Sequence, residues 1–98
     1  MSVPGGASEV KDADADIQKI VDGVKAELEG KVGKNFTECK AISYRSQVVA
    51  GTNYFVKVQV GDEYIHVRIF VPLPHTGEAP SVHSFQAGKS AADPIEYF

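Results

Sequence analysis

One stretch of this chain carries the stripe of an amphipathic helix, and it carries it on one side only. Ile17, Ile20, Val21, Val24 and Leu28 recur at i, i+3, i+4, i+7 and i+11. A single helix with a single apolar face needs a single sheet to lie on. Asp14 or Asp16 can cap its start and place negative charge where the helix dipole favours it, and Gly30 and Gly33 supply the stop. Gly23 weakens the helix interior by about 1 kcal/mol relative to alanine, and its place there predicts a close approach of the sheet.

The chain beyond the helix supplies that sheet. Cys39 to Ser46 reads as a strand with loose alternation. Thr52 to Val60 alternates cleanly, with Tyr54, Val56, Val58 and Val60 on one face and Phe55, Lys57 and Gln59 on the other. After the turn Gly61-Asp62-Glu63, Ile65, Val67, Ile69 and Val71 alternate with His66, Arg68 and Phe70, a half-buried strand in which His66 is expected to meet solvent. Pro72-Leu73-Pro74-His75 ends it, because proline cannot donate to the ladder. Val82 to Ala87 is a further strand, and Ile95-Glu96-Tyr97-Phe98 is apolar enough to dock on the body. The fold class is therefore α+β: one long helix packed on a twisted antiparallel β-sheet of four to five strands.

The 98 residues, 43% hydrophobic and 23% charged, fit one domain spanning 1–98. Residues 1–12 hold Val3-Pro4 and Gly5-Gly6 without helical or period-two pattern, and are expected to form a flexible arm. A net charge of -3 with no Lys/Arg cluster argues against nucleic acid. No apolar run approaches the length of a membrane span and no signal peptide opens the chain, so a cytoplasmic protein is expected. Cys39 is the only cysteine, in keeping with a reducing compartment.

The hairpin tip at 47–51 is unusual. Tips are normally polar, yet this one reads Gln47-Val48-Val49-Ala50-Gly51. Adjacent valines point to opposite faces of a sheet, so either at least one meets water and marks a contact surface, or both tuck under the sheet. Two β-branched residues at a turn also predict backbone strain, since they tolerate positive φ poorly. A second turn with an apolar tip residue, Leu73, stands two strands later. Antiparallel alternation places both tips at the same end of the meander, within reach of the N-terminal arm.

Enzymatic chemistry finds little support. Cys39 lies in a strand with no nucleophile signature, and is read as a packed thiol. His66, His75 and His83 lack the close spacings of a zinc site, and no phosphate loop or paired-carboxylate arrangement stands out. No catalytic residue, cofactor or metal is expected. A binding module acting through its apolar edge, a small-ligand carrier with its site between helix and sheet, and a hydrolase remain as readings of the residues alone.

Gln47-Val48-Val49-Ala50-Gly51-Thr52-Asn53-Tyr54-Phe55 resembles the central motif of the stefins, the type 1 cystatins, which are reversible inhibitors of papain-like cysteine proteases. The likeness extends to Pro4-Gly5-Gly6, to Leu73-Pro74-His75 and to Tyr97-Phe98. It implies a long helix wrapped by an antiparallel sheet, and a protein that is not an enzyme. It also implies three protease-binding segments: Val3, Pro4 and Gly5 as the N-terminal trunk, Gln47, Val48, Val49, Ala50 and Gly51 as the first loop, and Leu73, Pro74 and His75 as the second. The implied partners are papain and cathepsins of the B, H, L and S class, bound by a monomer whose liability is a domain-swapped dimer; a non-inhibitory binding module or a carrier on the same fold is the alternative. Two departures stand out. Val71-Pro72 replaces a pair that is usually polar, which predicts a stiffer second loop, and the arm is one residue longer before its glycine.

Overall fold

The computed structural model describes residues 9–96 and 98. Strand β1 (Lys11–Asp12) is followed by helix α1 (Ala15–Val32), then by strands β2 (Lys40–Val49), β3 (Gly51–Val60), β4 (Glu63–Val71) and β5 (Ser81–Lys89). The five strands form one sheet in the order β1-β2-β3-β4-β5, every neighbouring pair antiparallel. The expected architecture of one helix on an antiparallel sheet is what the chain adopts.

Helix α1 begins where a carboxylate can cap it. Asp14 is the N-cap, its Oδ1 accepting from the Ile17 amide at 3.0 Å, and Asp16 adds charge to the first turn. Gly33, at φ 84°, closes the other end, its amide donating to the Glu29 carbonyl at 2.8 Å. Only glycine adopts that left-handed conformation without strain. Gly30 lies within the helix, so the stop belongs to Gly33 alone. The buried stripe of Ile17, Val21, Val24 and Leu28 packs into one cluster with Val56, Val58 and Val60 of β3, Ile65, Val67 and Ile69 of β4, and Val82 of β5.

Side chains of the helix also tie it to both sides of the sheet. Gln18 donates through Nε2 to the Cys39 carbonyl at 2.9 Å and accepts from the Ala41 amide at 2.8 Å. Glu27 accepts from the Val82 amide of β5 at 3.0 Å. These bonds pin the helix across the sheet at β2 and β5, where apolar packing alone would let it slide. Gly23 is not the point of close approach its position predicted. It is exposed, and a β-carbon built there would meet nothing within 4 Å.

The opposite face of the sheet is covered too. Phe55, Lys57 and His66 are buried, and the segment after β5 lies over them. Lys57 Nζ donates to the Ala91 carbonyl at 2.6 Å, Arg45 to the Ile95 carbonyl at 2.7 Å, and Arg68 to the Phe98 carbonyl at 2.7 Å. Ile95 is fully buried, and the Phe98 ring meets Phe55 edge-on with centroids 5.7 Å apart. The tail docks as its apolar residues predicted, but His66 is not the solvated residue expected from alternation. The period-two rule places His66 on the face away from the helix, and the tail removes that face from water. Among the described residues, neither ring nitrogen of His66 has a hydrogen-bond partner.

The N-terminal arm is shorter than expected. Lys11 and Asp12, read as part of it, pair with Tyr44 and Ser43 as an edge strand. Their exposure explains why no alternating pattern betrayed them. No helix among the described residues is long and apolar enough to cross a membrane.

Candidate functional site

The first hairpin is tighter than the sequence implied. Gln47, Val48 and Val49 belong to β2 and Gly51 opens β3, so the ladder continues through Gln47↔Asn53, Val48↔Thr52 and Val49↔Gly51 with Ala50 alone at the turn. Val48 is 81% exposed and Val49 44% exposed. Of the two readings of that apolar tip, the one with valines in water is correct. Beneath them the side chains of Gln47 and Asn53 are buried, with Asn53 Nδ2 donating to Gln47 Oε1 at 3.0 Å. A cross-strand pair of amides satisfies itself there, one rung below the exposed valines.

The expected strain at the valines is absent, because Gly51 takes the turn's unusual geometry. Among the described residues no non-glycine has positive φ, while Gly51 sits at φ 123°. A β-carbon on Gly51 would lie 2.6 Å from the Val71 carbonyl oxygen and 2.9 Å from two atoms of the Phe70 ring. Gly51 is therefore required twice over, by conformation and by space.

The second turn is built differently. Leu73 precedes a single 3₁₀ turn, Pro74–Thr76, whose end is held by Thr76: its amide and its hydroxyl both donate to the Leu73 carbonyl, at 3.1 and 2.8 Å. Gly77, at φ 69°, leads the chain away. Leu73 is 39% exposed, and Pro74 and His75 are exposed as well. Because β2, β3 and β4 are consecutive antiparallel strands, residues 48–50 and 73–75 stand side by side at one end of the sheet. The structure thus brings two of the three expected segments together. Val3, Pro4 and Gly5 lie outside the described residues.

Cys39 is buried, and burial holds its thiol above the ordinary value, with Glu29 and Asp22 adding to the effect against the pull of Lys25. A thiol kept protonated is a poor nucleophile. Among the described residues no cluster of His, Cys, Asp or Glu could hold a metal ion. A cavity of about 460 Å³ lies beside Cys39, lined by charged and polar groups including Gln18, Asp22, Lys25 and Lys40. It opens on the surface where α1 faces the start of β2, and its lining is charged and polar, while further along the helix the apolar stripe packs directly on the sheet.

Two residues of this end were not visible as functional candidates in the sequence. Asn53 hydrogen-bonds Gln47, and the Phe70 ring occupies the space that a β-carbon on Gly51 would need. Only the strand register could have exposed them, since each acts on a residue of a neighbouring strand.

Residues 5–91 match the cystatin domain. Over 95 residues, 96% of the chain, it is 47% identical to Stefin-C of Bos taurus, 46% to Cystatin-B of Macaca fuscata fuscata and 45% to Cystatin-B of Homo sapiens, covering 94%, 97% and 97% of those proteins. The chain belongs to the stefins, within the cystatin family of cysteine protease inhibitors.

Proposed function

We propose that the protein is a reversible, competitive inhibitor of papain-like cysteine proteases, papain and cathepsins of the B, H, L and S class among them. It acts by occupation: the trunk Val3, Pro4 and Gly5, the first loop Gln47 to Gly51 and the second loop Leu73, Pro74 and His75 form a wedge that fills the cleft on both sides of the catalytic cysteine. The observation that carries this reading is the gathering of exposed apolar side chains, Val48, Val49 and Leu73, at one end of a rigid sheet. Exposed apolar groups on a preformed surface favour a protein partner, because docking them removes apolar area from water with little conformational entropy lost. An interface of about 800 Å² per partner suffices for tight binding under those conditions.

No covalent step is involved, so inhibition persists against papain whose active-site thiol has been alkylated by a small group. Binding confined to the free-thiol enzyme would overturn the occupation mechanism. Deleting residues 1–5 weakens binding through faster dissociation, as loss of contacts generally does. Equal dissociation rates of the truncated and full chains across several proteases would remove the trunk from the site. A full-length chain that leaves papain uninhibited would sink the whole reading in favour of a carrier or a binding module for another partner.

The inhibitor acts as a monomer. Straightening the hairpin at Ala50 would merge β2 and β3 into one strand and pass α1 and β2 to a second molecule, destroying the first loop. A dimer isolated after heating near the unfolding midpoint should therefore be inactive toward papain, and one as active per chain as the monomer would refute the swap at this hairpin.

A further inference from the structure

We infer that Phe70, which lies in neither loop, sets the spacing between the two loops by serving as the seat on which Gly51 rests. The inference deepens the inhibitor reading and rests on it for its functional arm. It starts from the space around Gly51. The positions 2.9 Å from a β-carbon there are Cε1 and Cζ of the Phe70 ring, and the position at 2.6 Å is the Val71 carbonyl oxygen. The first residue of β3 is thus pressed directly on the last two residues of β4 at the level where both loops begin.

Each loop is internally stiff, and the β3-β4 ladder, pairing Thr52 with Val71 and Asn53 with Phe70, sets them side by side with the Phe70 ring crowding Gly51 at their base. The first is closed by the Gln47–Asn53 bond at 3.0 Å and continuous pairing to Val49↔Gly51. The second is closed by Thr76 on the Leu73 carbonyl, and only Val71 and Pro72 separate Phe70 from Leu73. Proline fixes its own φ and restricts the residue before it, so Val71-Pro72 transmits the position of Phe70 to Leu73 as a short rigid link. Phe70 also stands directly opposite Asn53 in the β3-β4 register, on the rung that continues Gln47↔Asn53. One half-buried ring therefore touches the base of the first loop and lies three residues before the tip of the second. A wedge that must enter one cleft with two edges needs those edges at a fixed separation, and side-chain positions off by about 1 Å lose much of their contact.

The test uses Phe70→Leu, which keeps apolar bulk but removes the flat ring. Thermal unfolding establishes that the variant folds. The expected result is a dissociation constant for papain raised about 10-fold or more. It should be coupled to the loops: adding Leu73→Ala to Phe70→Leu should cost less than Leu73→Ala costs the parent chain, because the Leu73 contact is already displaced. A structural role without positioning would leave that cost unchanged, and full additivity overturns the inference. A second measurement needs no protease. Spin labels introduced by Ala50→Cys and His75→Cys, in a Cys39→Ser background, should give a narrow distance distribution in the parent and a broader or shifted one with Phe70→Leu. An unchanged distribution also overturns the inference. If the parent chain does not bind papain, the inhibitor reading fails while the label distances still decide what Phe70 does. Should Phe70→Leu not fold, Phe70→Tyr, which retains the ring, and Gly51→Ala, which forces the ring aside, give the same pair of readouts with opposite expected signs: parent-like spacing in the first, altered spacing and weakened binding in the second.

Discussion

Beneath the helix, the sheet presents Val56, Val58, Val67 and Ile69 to Ile17, Val21, Val24 and Leu28 in one apolar cluster. On its other side Lys57, His66 and Arg68 lie beside Phe55 under the segment that carries Ala91, Ile95 and Phe98, and what holds the cover is largely three cationic side chains on main-chain carbonyls. One face is sealed by apolar area, and the other by hydrogen bonds added to the burial of Ile95 and the Phe98–Phe55 contact. The first kind of burial gains from every methylene and has no direction. The second gains little net energy per bond but is costly to break on one side, since the remaining partner stays buried. The two faces should therefore fail differently.

The largest effect is expected on the helix face. Leu28→Ala leaves a cavity in a fully buried site and should lower stability by about 2–5 kcal/mol, read from the denaturant midpoint. A loss below about 1 kcal/mol would mean that this face collapses around the gap and is not close-packed. On the tail face Arg68→Ala removes the bond to the Phe98 carbonyl and the guanidinium lying 5.5 Å from the Phe55 ring centroid. It should cost about 1.5–3 kcal/mol, with amide exchange accelerating in residues 91–96 well before α1 responds. Equal acceleration in both would erase the distinction between the faces.

A smaller effect should follow pH. Burial first, and then Lys57 and Lys89, hold the His66 imidazole below its ordinary range, against Asp93 and Glu96 of the tail, which pull the other way. The folded chain therefore binds the proton less readily than the unfolded one. Its contribution is fully present above the unfolded value of about 6.5 and is lost as pH falls below it toward the folded value. Unfolding at pH 7.5 and pH 5 should show this decline, and His66→Leu should flatten it. Asp93, whose carboxylate accepts from the Ser90 amide at 2.7 Å, is held below the ordinary carboxylate value by that bond. Its contribution disappears only below about pH 4, so the two losses are separable. An unchanged pH slope in His66→Leu would show that the tail face is indifferent to charge.

The smallest change is a gain. Gly23→Ala places a methyl in open space on α1 and should stabilise by up to about 1 kcal/mol without touching either face. A destabilised variant would mean that Gly23 has a contact the fold does not account for.

This contrast between faces also separates what the sequence made legible from what it did not. Ile17, Val21, Val24 and Leu28 announce themselves because apolar burial writes a period into the chain, and β3 and β4 do the same with Val56, Val58, Val67 and Ile69. The tail face leaves no such mark. Its cover is fastened through the carbonyls of Ala91, Ile95 and Phe98, a group every residue has, so Lys57 and His66 read as ordinary outward residues. The loops divide similarly. Val48, Val49 and Leu73 stand out as apolar residues where polar ones belong, and the motif from Gln47 to Gly51 is recognisable together with Pro4-Gly5-Gly6, Leu73-Pro74-His75 and Tyr97-Phe98. Asn53 and Phe70 act only across a strand boundary, and alternation cannot tell which neighbour a residue will face. The valine strain was misplaced for the same reason, since the register gave the turn's positive φ to Gly51.

The tail has one further consequence, which concerns time rather than stability. Its three anchors are not on one strand: Arg45 belongs to β2, Lys57 to β3 and Arg68 to β4. Parting β2 from β3, the motion by which two molecules would exchange halves, leaves the tail attached to β3 and β4 but must tear Arg45 from the Ile95 carbonyl. Contacts that break on the way to a transition state slow the crossing, whatever they contribute to the balance between its ends. The strap across the back of the sheet would thus slow any such exchange, through a single guanidinium 50 residues away in sequence from the carbonyl it grips.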